Sequence, residues 1–278
     1  DRPGGLAHAV LCARDFLGQD SFVMYLGDNL VGSGIRDIAE EFTADPSIAV
    51  YALLKEVDDP SSFGIAEVDD AGRVIGLVEK PSQPRSNLAL VGVYFFRPSI
   101  FESIAAIEPS ARGELEITDA IADVIGRGAT CRFKRLSSWW LDTGKKDDLL
   151  LANDTVLDDW LTPGNDGQVD DDSQISGRVR IGTGAVIERS RVRGPVVIGA
   201  GARIIDATIG PYTAIGDRVR VSESRVEHSI LMEDSQIAGI ARLEDSLIGR
   251  RVRVRPTGRR AGGLCLLVGD DSVIELEQ

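Results

Sequence analysis

The chain contains few cysteines, and their spacing limits what they can do. Cys12, Cys131 and Cys265 lie far apart and form neither a C-x-x-C pair nor any other metal-binding spacing. Zinc sites and dithiol redox motifs need cysteines at short, regular intervals. The pattern therefore argues against a cysteine metal site and predicts reduced thiols in a cytoplasmic protein.

Long apolar runs and an excess of positive charge are also missing. No run approaches the ~20 apolar residues of a membrane helix, and no basic and then apolar signal peptide opens the sequence. Lys and Arg number 31 against 44 Asp and Glu, which gives a net charge of −13. This charge argues against a nucleic-acid or anionic-membrane partner. We expect a soluble protein in which any positively charged groups that bind phosphate are confined to the binding site.

A stretch of turn-forming residues divides the chain. At 278 residues, the sequence is long enough for two domains, each with a substantial core. Residues 162–167 read Thr-Pro-Gly-Asn-Asp-Gly, which is a strong break signal. We predict one domain over residues 1–162 and a second over residues 163–278.

The second domain carries an internal repeat of 17 residues. The apolar members of the series are Ile175, Val192, Ile209, Val226 and Leu243, and the glycines at the same interval are Gly182, Gly199 and Gly216. Within one unit the apolar steps are six, six and five residues, the hexapeptide pattern of a β-helix. We predict a left-handed parallel β-helix with three short strands per coil and glycine at the corners.

The first domain has an apolar run that ends abruptly at a carboxylate. Residues 22–26 read Phe-Val-Met-Tyr-Leu and are followed by Gly27 and Asp28. The run predicts a strand buried on both faces in a parallel sheet, beyond whose carboxyl end ligands collect. The competing interpretation is a simple turn. A second apolar run leads to Asp142 in the same way, so two carboxylates from distant parts of one sheet could share a cation.

The rest of this domain alternates between helical and strand periodicity, which predicts an α/β fold. Helices are expected at residues 7–17, 35–43, 98–107, 118–125 and 145–160. Strands are expected at residues 48–54, 88–96 and 131–136, and a hairpin at residues 65–68 and 74–79.

Seven short motifs occur in a fixed order in the first domain. They are Gly5-Leu6-Ala7-His8-Ala9-Val10, Leu26-Gly27-Asp28-Asn29, Phe63-Gly64, Val78-Glu79-Lys80-Pro81, Gly92-Val93-Tyr94, Arg112-Gly113-Glu114-Leu115-Glu116-Ile117-Thr118-Asp119 and Trp140-Leu141-Asp142-Thr143-Gly144. Together they resemble the sugar-1-phosphate nucleotidyltransferases, most of all the long form of the glucose-1-phosphate thymidylyltransferases. The resemblance implies a Rossmann-like nucleotidyltransferase domain before the β-helix.

The resemblance also implies a reaction and a set of site residues. A nucleotidyl group would pass from a nucleoside triphosphate, dTTP, to a sugar 1-phosphate, glucose 1-phosphate, and pyrophosphate would leave. Asp28 and Asp142 would be catalytic ligands of Mg²⁺, Lys80 would be catalytic at the sugar phosphate, and Glu79 would accept hydrogen bonds from the sugar. The other implied substrate-binding residues are Pro3, Gly5, Leu6, Asn29, Gly64, Leu90 and Tyr94.

One part of the family pattern has no match in this sequence. The family places a Gly-rich loop with an Arg and a Lys, which hold the triphosphate, before the first motif. We therefore expect an N-terminally truncated domain that lacks its first strands. Because the loss of one preorganised group costs about 10²-fold or more in rate, we expect these residues alone to turn over slowly or not at all.

Two alternatives to a nucleotidyltransferase stay open. Hexapeptide β-helices also occur in acyltransferases, which use a histidine base, and His228 lies in the repeat. The other alternative is a non-catalytic protein that binds sugar nucleotides while the repeat forms a homo-oligomer. The sequence leaves the base, the sugar and the oligomeric state open.

Overall fold

The structure is a computed structural model that describes residues 4–71, 73–256 and 266–276. The chain forms two compact units, Asp1–Asp142 and Thr143–Gln278. This division lies earlier than the sequence boundary at residues 162–163, because the helix after Asp142 packs with the β-helix. Among the described residues, no helix has both the length and the apolar character needed to cross a membrane.

The first unit is an α/β structure, as predicted. Its helices are α1 (Leu6–Cys12), α2 (Arg14–Leu17), α3 (Arg36–Ala44), α4 (Ile100–Ala106) and α5 (Ile117–Gly126), with a 3₁₀ turn at Pro60–Ser62. Its strands are β1 (Phe22–Tyr25), β2 (Asn29–Val31), β3 (Ile48–Glu56), β4 (Gly64–Val68), β5 (Val74–Glu79), β6 (Leu88–Phe96), β7 (Thr130–Arg135) and β8 (Trp140–Asp142). The helix predicted at residues 7–17 is interrupted at Ala13.

The main sheet has the strand order β5-β4-β6-β3-β7, and β1 pairs with β6. All nine residues of β6 are buried, because β3 flanks it on one side while β1 and β4 share the other. A continuous apolar strand of this kind needs cover on both faces. β6 is therefore the central strand of this unit.

The prediction that β1 is buried on both faces is wrong. Its burial alternates along the strand, and Val23 and Tyr25 are each 44% exposed. Phe22 and Met24 point the other way and pack in the core. The pairing with β6 is antiparallel rather than parallel. A short apolar run does not reveal which of its residues lie on the covered face, since strand side chains alternate between faces.

A tight turn links β1 to a separate two-stranded sheet. The Asn29 N–H donates to the Leu26 carbonyl oxygen at 3.1 Å and so closes the turn that contains Asp28. The next strand, β2, pairs antiparallel with β8, which places Asn29 opposite Asp142. The chain thus brings the two predicted carboxylate positions to one edge of the unit.

The second unit begins with α6 (Lys146–Asp159) and continues as a parallel β-helix of three sheets. The first sheet contains β10 (Gln168–Val169), β13 (Val186–Glu188), β16 (Arg203–Ile205), β19 (Arg220–Ser222), β22 (Gln236–Ala238), β24 (Arg253–Pro256) and β26 (Val273–Leu276). The second contains β11 (Gln174–Ser176), β14 (Arg191–Arg193), β17 (Thr208–Ile209) and β20 (Arg225–Val226). The third contains β9 (Gly164–Asn165), β12 (Val179–Ile181), β15 (Val196–Ile198), β18 (Thr213–Ile215), β21 (Ser229–Leu231), β23 (Ser246–Ile248) and β25 (Leu267–Val268).

The predicted 17-residue apolar series forms part of the β-helix core. Val192, Ile209, Val226 and Leu243 are almost completely buried and stack from coil to coil. Ile175 is 38% exposed, because β11 is the terminal strand of its sheet and has a neighbour on one side only. Residues 263–268 read Gly-Leu-Cys-Leu-Leu-Val, which predicts a closing strand of the repeat. Strand β25 is present there, and residues 263–265 lie outside the described residues.

The helical spacing predicts that the apolar face of α6 consists of Leu149, Ala152, Val156, Leu157 and Trp160, and the structure differs from this in part. Leu150, Ala152 and Leu157 are buried, whereas Leu149 is 37% exposed and Trp160 is 54% exposed. The helix packs beside β21 and β23. The position of those strands decides which side of α6 is covered, and the sequence of the helix alone does not contain that information.

The cysteine prediction is supported where the structure describes it. Cys12 and Cys131 are free thiols, and burial raises the pKa of Cys131 to about 11. A thiol with a raised pKa is a poor nucleophile because little thiolate forms. Cys265 lies outside the described residues.

Candidate active site

A cavity of about 150 Å³ opens in the first unit where α1 and α5 come together with β2, β4, β5, β6 and β8. Eight of the predicted site residues line it: Leu6, Asn29, Gly64, Glu79, Lys80, Leu90, Tyr94 and Asp142. These residues come from six separate segments of the chain. Their convergence makes this cavity the candidate active site.

Glu79 ends β5 and is held at the cavity by two donors. Thr118 Oγ1 donates to Glu79 Oε2 at 3.2 Å, and Arg112 Nη2 lies 3.5 Å from Glu79 Oε1. Burial raises the pKa of Glu79, and the negative charge of Glu116 raises it further. The result is an oriented carboxylate that can accept hydrogen bonds from a polar ligand.

Lys80 adopts an uncommon backbone conformation at the mouth of the cavity. Its φ is +42°, and its N–H donates to the Phe63 carbonyl oxygen at 3.0 Å. Non-glycine residues with positive φ are few, and such strain often marks functional sites. Within the described part of the chain, Lys80 forms no ion pair. Its ammonium group is therefore available to an anionic ligand.

The floor of the cavity is formed by one face of β6. Leu90, Gly92 and Tyr94 alternate along the strand and so point to the same side. Tyr94 is buried, and its burial together with the charge of Glu79 raises the pKa of its hydroxyl. Gly64 lies beside this floor, and a Cβ there would come within 2.5 Å of Thr118 Cγ2. Only glycine leaves this part of the cavity open.

Asp142 ends β8 and lines the cavity, whereas Asp28 lies in the turn just before β2 and is not among the residues that line it. Both residues are exposed. Among the described residues, no group of three or more His, Cys, Asp or Glu side chains is placed to hold a metal ion. Mg²⁺ does not need such a group, since it is commonly bound by one or two carboxylates plus substrate phosphates. The oxygen donors of this pair therefore fit Mg²⁺, and their role as ligands stays a prediction.

Three predicted substrate contacts come from the start of the chain. Leu6 lines the cavity. Gly5 does not line the cavity. Its φ is +94°, and a Cβ on Gly5 would lie 2.5 Å from the carbonyl oxygen of Leu115. Close packing of two backbone segments is therefore a sufficient reason for this glycine. Pro3 lies outside the described residues.

Several residues of the site, among them Thr118, Trp140 and Arg112, were not predicted from the sequence to contact substrate. Thr118 and Trp140 line the cavity, and Arg112 binds Glu116 through two contacts of 2.9 and 3.0 Å while reaching towards Glu79. The acidic spacing after Arg112 was a usable signal, because a buried carboxylate such as Glu116 needs a cation nearby. Thr118 and Trp140 lie within two of the seven motifs, but no contact was assigned to either residue.

Comparison with known proteins identifies the family of the part of the chain that contains this site. The model of the family described as nucleotidyl transferase matches residues 1–159. The chain belongs to this family. Residues 1–159 contain every residue of the cavity, so the nucleotidyltransferase match and the candidate active site coincide.

Relatives of this nucleotidyltransferase match nearly its whole length. Glucose-1-phosphate thymidylyltransferase of Streptomyces antibioticus is 49% identical over 276 residues, which cover 99% of this chain and 77% of that protein. The low-salt glycan biosynthesis nucleotidyltransferase Agl11 of Haloferax volcanii is 45% identical over 282 residues, with the same two coverages. The similarity thus includes the β-helix.

A solved structure is similar to part of this nucleotidyltransferase. It is a Bacillus anthracis protein described as a glucose-1-phosphate thymidylyltransferase and crystallised in complex with sucrose. The TM-score is 0.52 at 38% identity, and the match covers 59% of this chain and 65% of that chain.

In the β-helix of this nucleotidyltransferase, His228 contacts a carboxylate with each ring nitrogen. Nδ1 lies 2.5 Å from Asp245 Oδ1, and Nε2 lies 3.0 Å from Asp154 Oδ2 in α6. A neutral imidazole has a single N–H, so both contacts are hydrogen bonds only when the ring is protonated. A catalytic base needs a free nitrogen, and the arrangement therefore argues against the acyltransferase alternative.

The same contacts predict a pH-dependent stability. Partial burial opposes the charged ring, but the hydrogen bond to Asp245 and the charge of Asp154 outweigh it and raise the pKa of His228 above 6.5. Burial also raises the pKa of Asp154. The contribution of protonated His228 to the free energy of unfolding is fully present at pH values below the pKa of this residue in the unfolded chain. It is lost as the pH rises through the raised pKa of His228 in the folded chain. With a partly exposed ring, we expect a loss of about 1 kcal/mol or less.

The measurement is the free energy of unfolding from about pH 5.5 to about pH 8.5 for three proteins. The unaltered chain and His8→Gln, which changes the other histidine, should both lose stability as the pH rises. His228→Gln should lack this decline. An unchanged pH slope in His228→Gln would show that the ring does not bridge the two carboxylates.

Proposed function

We propose that this nucleotidyltransferase transfers a thymidylyl group from dTTP to glucose 1-phosphate, forming dTDP-glucose and releasing pyrophosphate. The observation that carries the proposal is the pairing of an oriented carboxylate, Glu79, with an available ammonium group, Lys80, at one corner of the cavity. A sugar 1-phosphate presents the complementary groups, hydroxyls beside a phosphate. The names of the relatives from Streptomyces antibioticus and Streptomyces griseus support the choice of thymidine and glucose.

In this proposal the protein positions two anionic substrates and reduces the repulsion between them. Glu79 accepts hydrogen bonds from glucose hydroxyls, while Lys80 pairs with the sugar phosphate. A phosphate oxygen of glucose 1-phosphate attacks the α-phosphorus of dTTP, and the bond between the α-phosphorus and the bridging oxygen breaks. Such transfer depends on alignment and charge neutralisation more than on covalent help from the protein.

Asp28 and Asp142 would hold Mg²⁺ in this reaction. When bound, Mg²⁺ supplies positive charge that offsets the charge of the reacting phosphates. Leu90 and Tyr94 would exclude water from the sugar, since their side chains form part of the floor of the cavity.

We also propose the setting in which the reaction takes place. The free thiols Cys12 and Cys131 suit the reducing cytoplasm. The net charge of −13 disfavours nucleic acid as a partner. A homo-oligomer built through the β-helix stays a prediction.

Calorimetric titration with dTDP-glucose tests the proposal through its product, so the readout does not depend on the rate of turnover. Lys80→Met removes a charge-assisted contact worth about 1.5–3 kcal/mol, and we expect affinity to fall about 10–100-fold. Glu79→Gln should weaken binding about 10-fold by removing the charge of the acceptor. The control is Arg85→Met, which removes a cation that is outside the cavity and 81% exposed, and it should bind like the unaltered chain.

The outcomes separate the parts of the proposal. No binding of dTDP-glucose by the unaltered chain, or equal binding by Lys80→Met, would overturn the assignment of this cavity to a sugar phosphate. Equal or tighter binding of UDP-glucose would retain the sugar site and overturn the choice of thymidine.

A further inference from the structure

We propose that the β-helix carries an anion site of its own, which binds an inorganic oligophosphate, a chain of linked phosphates without a nucleoside. The site is built on a row of three exposed arginines, Arg203, Arg220 and Arg253, with Gln236 between the last two. We call these four residues the arginine row. The row lies in the second unit, and its assignment does not depend on the function proposed for the first.

The arginine row arises from the register of neighbouring coils. Arg203 on β16 lies beside Arg220 on β19, Arg220 beside Gln236 on β22, and Gln236 beside Arg253 on β24. Each of them is followed by a residue buried in the core, as Arg203 is by Ile204, so the row faces outwards. Adjacent strands are about 4.8 Å apart, and the row therefore spans about 14 Å.

Protein groups do not neutralise the charge of the arginine row. Among the described residues, Arg203, Arg220 and Arg253 form no ion pair. Other arginines of the β-helix do, as Arg189 does with Asp206 at 2.7 Å. A lone exposed arginine is usually solvated surface, but like charges directly opposite each other on neighbouring strands are destabilising. An anion bound between Arg203 and Arg220 would remove this repulsion.

The arginine row lines a groove of about 600 Å³. Two ion pairs form its side: Arg218 donates to Asp234 through Nε and Nη2, both at 2.8 Å, and Arg251 donates to Asp271 in the same way. These hydrogen bonds lower the pKa of both carboxyl groups. Among the described residues, the lining thus contains five arginines against two aspartates that are already engaged. This is a local excess of positive charge in a chain of net charge −13.

The size and the lining of the groove select its ligand. A volume of about 600 Å³ is typical of small-molecule sites, and guanidinium groups bind phosphate through two parallel hydrogen bonds. The described lining includes no aromatic or aliphatic side chain, so a nucleobase would have nothing to stack on. Because the charges are spread along the row, linked phosphates contact several arginines at once, whereas a single phosphate cannot.

The test is calorimetric titration of the full chain with inorganic tripolyphosphate, pyrophosphate and phosphate, in the absence of divalent metal. We expect affinity to fall in that order, since a shorter anion contacts fewer arginines. A variant that combines Arg203→Gln with Arg220→Gln loses two charge-assisted contacts, and it should bind tripolyphosphate about 100-fold or more weakly. Arg253→Gln alone should weaken binding about 10-fold.

The matched control combines Arg191→Gln with Arg193→Gln. These arginines are also exposed and, within the part of the chain that the structure describes, form no ion pair. They lie on β14, in another sheet, where Arg191 is opposite Thr208 and Arg193 is opposite Ser176. The control changes the net charge by the same amount, and it should bind tripolyphosphate like the unaltered chain.

Chemical denaturation shows whether the variants are folded. Without ligand, the Arg203 and Arg220 double variant should be at least as stable as the unaltered chain, because it removes a contact between like charges. Excess tripolyphosphate should stabilise the unaltered chain and the control against unfolding, and it should not stabilise the double variant.

Several outcomes would overturn the proposal. They are no binding of tripolyphosphate by the unaltered chain, equal binding by the Arg203 and Arg220 double variant, and an equal loss in the control, which would report net charge rather than a site. A loss in Lys80→Met but not in the double variant would place the anion in the cavity of the first unit, and the proposed function would stand.

Two further results would overturn the choice of ligand. One is phosphate that binds as tightly as tripolyphosphate, which would exclude a chain of linked phosphates. The other is dTTP that binds more tightly than tripolyphosphate and loses this binding in the double variant, which would assign the groove to a nucleotide. A change of oligomeric state in the double variant, with no oligophosphate bound by the unaltered chain, would make the arginine row an interface between copies instead.

Discussion

Replacement of Asp28 or Asp142 by asparagine is expected to lower the Mg²⁺-dependent formation of dTDP-glucose about 10²–10³-fold, relative to the unaltered chain of the same length. Each change removes one negative charge and leaves a weaker, neutral oxygen ligand for a hard cation. The measurement is the initial rate of pyrophosphate release from dTTP and glucose 1-phosphate, at a protein concentration high enough to quantify the slow turnover expected of these residues. The double variant should be little slower than the slower single variant, because residues that act as one unit are strongly non-additive.

The control for these variants is Asp15→Asn, which removes an exposed acid from α2 in the same unit. Its rate should match that of the unaltered chain. If Asp28→Asn and Asp142→Asn each retain the full rate and the full dependence on Mg²⁺, the two carboxylates do not hold the metal. A loss in only one of them would reduce the predicted pair to a single ligand.

Gly199→Ala is expected to destabilise the β-helix by about 1–3 kcal/mol, the usual cost of forcing extra atoms into a packed site. A Cβ at Gly199 would lie 2.5 Å from Gly216 C and 2.6 Å from Asp217 N, which belong to the next coil. Backbone atoms cannot move aside as a flexible side chain can. The coils would have to separate locally, and each coil is stabilised mainly by its neighbours.

The chain offers a matched control for this change. Gly269 occupies the corresponding corner of the last described coil, since a Cβ on Gly249 would meet its carbonyl carbon at 2.6 Å. A Cβ on Gly269 itself would meet nothing within 4 Å. Chemical denaturation should therefore show a clear loss of stability for Gly199→Ala and almost none for Gly269→Ala. Equal effects would mean that glycine is needed at these corners for some reason other than close stacking.

The β-helix could be predicted from sequence because its contacts are periodic. Residues 17 positions apart become neighbours, so one interval in the sequence gives the pairing of Val192 with Ile209 and of Ile209 with Val226. The interval does not reveal where the stack ends, which is why Ile175 proved half-exposed. The 17-residue interval also does not show that α6 belongs to this unit. The packing of α6 depends on contacts outside the repeat pattern, such as that of Asp154 with His228.

The strand positions and side-chain contacts of the first unit were harder to predict from sequence. Strands β1 and β6 are both short apolar runs, and only the pairing in space shows that β6 is central whereas β1 is covered on one face. The roles of Glu79 and Lys80 were predicted only through the family resemblance, because adjacent opposite charges are usually solvated surface, while Pro81 by itself indicated the end of a strand. The hydrogen bonds of Asn29 with Gly92 and Trp140 could not be predicted from sequence, since they join residues 63 and 111 positions apart.

The most direct test of the sugar-nucleotide site is a crystal structure of the chain soaked with dTDP-glucose and Mn²⁺. We expect the glucose and its phosphate in the cavity beside Glu79 and Lys80, and an anomalous manganese peak at the carboxylates of Asp28 and Asp142. A sugar nucleotide bound at another surface, or a manganese peak distant from both carboxylates, would contradict the assignment of this cavity as the active site.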